Sequence, residues 1–276
     1  MSTSLFVKAN SAFTGRPRRR RSVAELLEPL EIIASNSASL IANHAAHFEV
    51  NGEPYQLPRY LFIGPKGGDD PIRIGIFATL HGDEPEGAHA LVQFARLLER
   101  SPEIARDYCL FLYPVCNPTG YEDNTRCSRR GRDLNREFWN HSVEPEVQLL
   151  QSELYSHAFD GIISLHSDNT SHGAYGFVSG ATLTKHLLEP ALAAANEILP
   201  RNNDTIIDGF NAQNGVIREG YQGVLGAPPK IRPRPFEIVF ETPQEAPHFA
   251  QVQATGVALT TILGEYRKFI SYAANL

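Results

Sequence analysis

The sequence predicts an α/β fold: a single domain with a central mixed, mostly parallel sheet of about eight strands flanked by helices. Apolar, strand-like runs at residues 73–80, 108–115, 161–166 and 236–240 alternate with helical windows near 85–100, 143–158, 181–198 and 246–275. Parallel neighbours need crossovers and become buried on both faces, and such alternation supplies both conditions. At 276 residues, 42% apolar and 20% charged, the chain is long enough for a sizeable core, and it shows no internal repeat or clear linker.

Residues 1–22 read as a basic, weakly ordered N-terminal segment, and 23–276 as one folded domain. Lys8, Arg16 and Arg18 to Arg21 give the segment six positive charges and no acid; a solvated run is the expectation. Ser22 is placed to cap a helix through "SVAELLEPLEIIA", with Glu25 three residues on. In "HFEVNGEPYQLP", Asn51-Gly52 supplies the positive φ values of a tight hairpin turn. "ATGVALTTILGEYRKFISYAANL" reads as a terminal helix with apolar positions at helical spacing.

The net charge is −6, and the chain beyond the basic segment carries 19 basic against 31 acidic residues, which argues against a nucleic-acid partner. No window approaches the roughly 18 apolar residues of a membrane span, and no secretory signal is visible. Cys109, Cys116 and Cys127 lack C-x-x-C spacing, so reduced thiols and a cytoplasmic location are expected.

Ligands of open α/β sheets bind beyond the carboxyl ends of the strands, and here four strand ends carry chemistry. "IRIGIFA" runs into "TLHGDEPEGAHA", "CLFLYPV" into "CNPTG", "GIISL" into "HSDN" and "FEIVF" into "ETP". Two imidazoles and a carboxylate suit a single Zn2+ with one open position, and His81, Glu84 and His166 form that set. His89, on the helix after the motif, and His172, in a polar loop, rank below His166 as third ligand; Asp83 and Glu86 fit a helix start. Glu241 is the candidate base and acid. Its rival Glu237 shares the strand face but begins the strand, about 13 Å farther back. In the loop from Asn117 to Trp139, Arg126 and Arg136 are candidates to recognise a substrate carboxylate or to stabilise an oxyanion, whereas Arg129, Arg130 and Arg132 serve as well to offset acidic neighbours.

Taken together, "HGDE", "NPTG", "TRCSRRGRDLNREF", "LHSDN" and "FEIVFETP" resemble the zinc carboxypeptidase family, the carboxypeptidase A type of metallopeptidase, over about residues 73–243. The resemblance implies His81, Glu84 and His166 as zinc ligands and Arg126 on the scissile carbonyl. It further implies Asn135 and Arg136 on the substrate's terminal carboxylate, Glu241 as general base and acid, and a substrate tyrosine for which Tyr221 is the candidate. Glu137 stands where the family has an asparagine.

The implied activity is hydrolysis of an amide bond near a free carboxylate, in a peptide substrate. An N-acyl amino acid amidohydrolase, similar to the succinylglutamate desuccinylase and aspartoacylase group, is the alternative. That group appends a β-rich region after the catalytic glutamate, where this chain has 35 residues. A non-catalytic zinc-containing binding module is the alternative of another class.

Overall fold

The computed structural model describes residues 20–66 and 70–273. The basic segment therefore lies outside the described residues up to residue 19. Its last residues are described, and Ser22 caps α1 (Val23–Asn36) by accepting from the Glu25 amide at 3.1 Å.

The strands are β1 (Leu40–Ala42), β2 (His47–Val50), β3 (Glu53–Gln56), β4 (Tyr60–Ile63), β5 (Ile72–Ala78), β6 (Tyr108–Tyr113), β7 (Gly161–Asp168), β8 (Tyr175–Val178), β9 (Ile206–Ile207), β10 (Phe210–Gln213), β11 (Val216–Ile217) and β12 (Phe236–Pro243). Ten form one sheet in the order β1-β4-β6-β5-β7-β12-β8-β11-β10-β9. Its centre, β6-β5-β7-β12, is parallel throughout. β2 and β3 pair apart from it as the expected hairpin, with Asn51 at φ +53° and Gly52 at +79°. The sheet exceeds the expected eight strands through short edge members: β9 and β11 have two residues each, too few to show any periodicity.

The remaining helices are α2 (Glu86–Arg100), α3 (Pro118–Asp123), α4 (Pro145–Ser156), α5 (Ala181–Leu183), α6 (Glu189–Ala195) and α7 (His248–Ala273), with a π-helical turn, Thr184–Leu188, joining α5 to α6. The alternation of strand side chains explains why "IRIGIFA" is apolar almost throughout. Ile74, Ile76 and Ala78 pack on one face with Leu91 and Phe94 of α2 and Leu259 and Ile262 of α7. Phe77 packs on the other with Val147, Leu150 and Leu154 of α4. α4 covers that second face only over the β6-β5-β7 half. Past β7 the face is walled by residues between 208 and 225, including Phe210 of β10 and Ile217 of β11, and there a cavity opens. Among the described residues no helix is long and apolar enough to cross a membrane.

Candidate metal centre

An unusual residue follows β5. Thr79 is β-branched yet sits at φ +55°, a conformation that costs on the order of 1–3 kcal/mol and persists only where the surroundings impose it. The imposition is visible: Thr79 and Ala78 carbonyls accept from the Asn117 and Cys116 amides, both at 3.0 Å. The chain then turns through "LHGDE" into α2. Gly82 has no alternative in that turn, because a Cβ there would stand 1.9 Å from the Gly120 carbonyl carbon of α3.

His81, Glu84 and His166 are brought together as the sequence predicts, all buried, with one donor atom from each within 4.8 Å of the others. His81 Nδ1 lies 2.6 Å from Glu84 Oε1, and His166 Nδ1 lies 2.9 Å from Glu84 Oε2. The far nitrogens are engaged elsewhere: His81 Nε2 with Asp133 Oδ1 at 3.2 Å, and His166 Nε2 with Ser164 Oγ at 2.9 Å and Asn135 Nδ2 at 3.4 Å. Metal-binding histidines have this arrangement, with one nitrogen directed at the ion and the other fixed by a second partner.

The electrostatics favour the ligating form of Glu84 and of His166. Burial opposes charge on Glu84, but the His166 and His81 imidazoles outweigh it and lower its pKa, favouring the anion. Burial lowers the pKa of His166 and favours the neutral, lone-pair form. For His81 burial acts the same way, but Glu84 and Asp133 outweigh it and raise the pKa. Two imidazole Nδ1 atoms and one carboxylate fit a borderline-soft divalent ion such as zinc.

Beside this cluster lies a cavity of about 440 Å³ lined by His81, Glu84, Arg126, Arg136, Tyr221, Glu237 and Glu241 among others. Glu241 is the register partner of His166 on one side and of Tyr175 on the other. Burial, followed by the charges of Glu84, Asp168 and Asp208, pushes the Glu241 carboxyl well above its ordinary range. Glu237 lines the same cavity, but its carboxylate accepts from the Ala227 amide and from Arg234, each at 2.9 Å. Arg126 is 3.0 Å from Asp133 and 3.6 Å from Glu84. Arg136 has no ion pair among the described residues and stacks 4.0 Å over the Tyr221 ring, whose hydroxyl donates to the Asp208 carbonyl.

Other residues singled out in the sequence lie apart. Asn135 does not line the cavity: its amide faces His166, and its oxygen accepts from the Leu225 amide. Asn117 is buried, caps α3 and donates to the Leu80 carbonyl. Glu137 accepts from Ser142. Arg129 is tied to Glu122 and Asp123. His89 stacks edge-on against His248, outside the cluster. Sequence reasoning assigned no role to Asp133, Ser164 or Tyr175; the one signal for Asp133 was its place inside "DLNR".

Residues 71–207 match the family model for the succinylglutamate desuccinylase/aspartoacylase catalytic domain. No curated protein sequence gives a significant match. Among solved structures, a Shewanella denitrificans OS217 protein provisionally described as a metallopeptidase is 24% identical, with a TM-score of 0.69 over 88% of this chain and 87% of its own. A Burkholderia cenocepacia metallo-carboxypeptidase is 15% identical, TM-score 0.69, over 91% and 70%. A Pseudomonas aeruginosa metallo-carboxypeptidase in complex with (2-guanidinoethylmercapto)succinic acid is 18% identical, TM-score 0.62, over 89% and 69%. The family match and the shared fold bear out the resemblance carried by the motifs.

Proposed function

We propose that this protein is a metal-dependent hydrolase of the carboxypeptidase type, cleaving an amide bond next to a free carboxylate. One observation carries the reading. His81 and Glu84, which cluster with His166, line the same cavity as Glu241, the register partner of His166. A divalent ion held by His81, Glu84 and His166 would supply Lewis acidity toward a carbonyl and make water more acidic. Glu241 takes the proton of the attacking water and returns it to the departing nitrogen. Arg126 lies on the cavity wall beside Glu84, suited to the oxygen on which negative charge develops. Arg136, without an ion pair among the described residues, receives the substrate carboxylate through its planar fork.

The charge of the cavity favours a peptide over an N-acyl amino acid. Asp168, Asp208 and Glu219 line it together with Arg126 and Arg136, and Arg126 is already paired with Asp133. A substrate with several carboxylates would meet like charges there, whereas a peptide presenting one would not. The apolar wall of Ile162, Phe177, Ile217, Val224 and Leu225 suits a peptide side chain. The desuccinylase/aspartoacylase match over 71–207 is what favours the second reading, an N-acyl amino acid amidohydrolase with the same ligand set.

A hydrolysis screen with and without chelator separates the readings. Chelator-sensitive cleavage of peptides with free C-termini, and not of their amides, is the expected result. Release of acetate or succinate from N-acyl amino acids would transfer the chain to the second reading. Hydrolysis of neither class would leave a binding module.

A further inference from the structure

Every backbone carbonyl of the turn that carries His81 and Glu84 has a donor. Leu80 O accepts from Asn117 Nδ2 at 3.2 Å, His81 O from the Glu84 amide at 3.2 Å, Gly82 O from Arg21 Nη1 at 3.3 Å, Asp83 O from Gln244 Nε2 at 3.0 Å, and Glu84 O from Thr79 Oγ1 at 3.4 Å. The two carbonyls between the ligands are therefore held by side chains from opposite ends of the chain: one belongs to the arginine run, the other stands three residues past Glu241. We infer that Arg21 and Gln244 are positioning residues that set the spacing of His81 and Glu84 for the metal. The inference rests on the metallohydrolase reading.

Both donors are themselves anchored. The Arg21 amide donates to the Glu122 carbonyl at 3.0 Å, and its guanidinium lies 5.4 Å over the Tyr121 ring, so its reach to Gly82 is fixed by α3, the helix against which Gly82 is pressed. The Gln244 amide donates to the Asp168 carbonyl at 2.9 Å, and its own carbonyl accepts from Gln251 Nε2 at 3.1 Å. Gln251 in turn accepts from Thr242 at 2.9 Å. Gln244 thus joins the ends of β7 and β12 to the turn after β5, linking the three segments that bear His166, Glu241 and the His81–Glu84 pair. Peptide planes 82 and 83 decide how far apart the two ligand side chains stand. Restraining those planes before the ion arrives removes an ordering cost from binding, as preorganisation does elsewhere. Arg20, by contrast, pairs among the described residues with Glu53 and Asp123, away from the turn.

The test is zinc retention against a competing chelator, with melting of the metal-free proteins measured in parallel. Arg21→Ala and Gln244→Ala should each bind zinc roughly 3- to 10-fold more weakly, less than the 10- to 100-fold typical of groups bonded directly to ligand side chains. Metal-free melting should change little, Arg21→Lys should recover most of the loss, and Arg20→Ala should match wild type. Unchanged affinity in Arg21→Ala and Gln244→Ala, while Asp133→Ala loses zinc, would overturn the inference and leave the functional reading intact. An equal loss in Arg20→Ala would overturn it too. A wild-type protein that takes up no zinc would remove the functional reading itself.

Discussion

His166 and Glu241 face each other across the parallel β7/β12 ladder, two register positions from its carboxyl end, and Tyr175 continues the row on β8. A ligand of the proposed ion and the proposed proton carrier are thus placed by the rigid centre of the sheet, with loops supplying the arginines. Tyr175 is buried, and its hydroxyl donates to Asp168 at 2.9 Å, closing the row from the far side.

Glu241→Gln should abolish hydrolysis by about 10²- to 10⁴-fold in kcat, the usual range for a general base or acid, while zinc content stays at the wild-type level. Steady-state kinetics with metal analysis checks it. A variant with near-normal kcat would remove Glu241 from the proton-transfer role.

Asp133→Asn retains a hydrogen-bonding group but removes the charge that faces His81 Nε2. Weakening of zinc affinity by roughly 10-fold or more is expected in chelator competition. Arg126 loses its pairing with Asp133 in the same variant and keeps only the longer contact with Glu84 among the described residues, so kcat should fall as well.

Arg136→Ala should raise KM for peptides with free C-termini and leave weak turnover of their amides unchanged, because only the former present a carboxylate. Equal effects on both substrate types would place Arg136 outside carboxylate recognition.

Gly82→Ala forces a Cβ into the α3 backbone at Gly120, and the turn has no flexible side chain there to move aside. Loss of zinc and a lowered melting temperature should appear together. Unchanged values would show that the turn relaxes without disturbing its ligands.

Acid stability should depend on Glu153. Burial would raise its carboxyl, but hydrogen bonds with His157, Tyr113 and Arg59 hold it at about 2 against an ordinary 4.5. A pKa depressed in the folded state contributes stability above the unfolded pKa, and that contribution is lost as pH falls from about 4.5 toward 2. Its size is roughly 3 kcal/mol. Denaturant melts of wild type and Glu153→Gln across that range should converge at the acid end; parallel curves would contradict the assignment.

The parts of the molecule legible in the sequence are those with a long local signal. β5, β6, β7 and β12 are apolar runs bounded by turns, and α2 and α7 repeat at helical spacing, so the centre of the sheet and its helical cover follow directly. His81, Glu84, His166 and Glu241 were readable because each ends such a strand. β9 to β11 escaped because two to four residues carry no period. Arg21 reads as one more solvated charge in its run; only α3, brought beneath it by tertiary packing, gives its guanidinium the Gly82 carbonyl. The hydrogen bonds of Asn135 depend in the same way on a loop, around Leu225, that no local pattern predicts.

Metal stoichiometry tests the central claim most directly. Wild-type protein loaded with zinc and dialysed exhaustively should retain about one equivalent by elemental analysis, while Glu84→Ala and His166→Ala, folded by circular dichroism, retain almost none. No bound ion in wild type, or a full equivalent in both variants, would contradict the account.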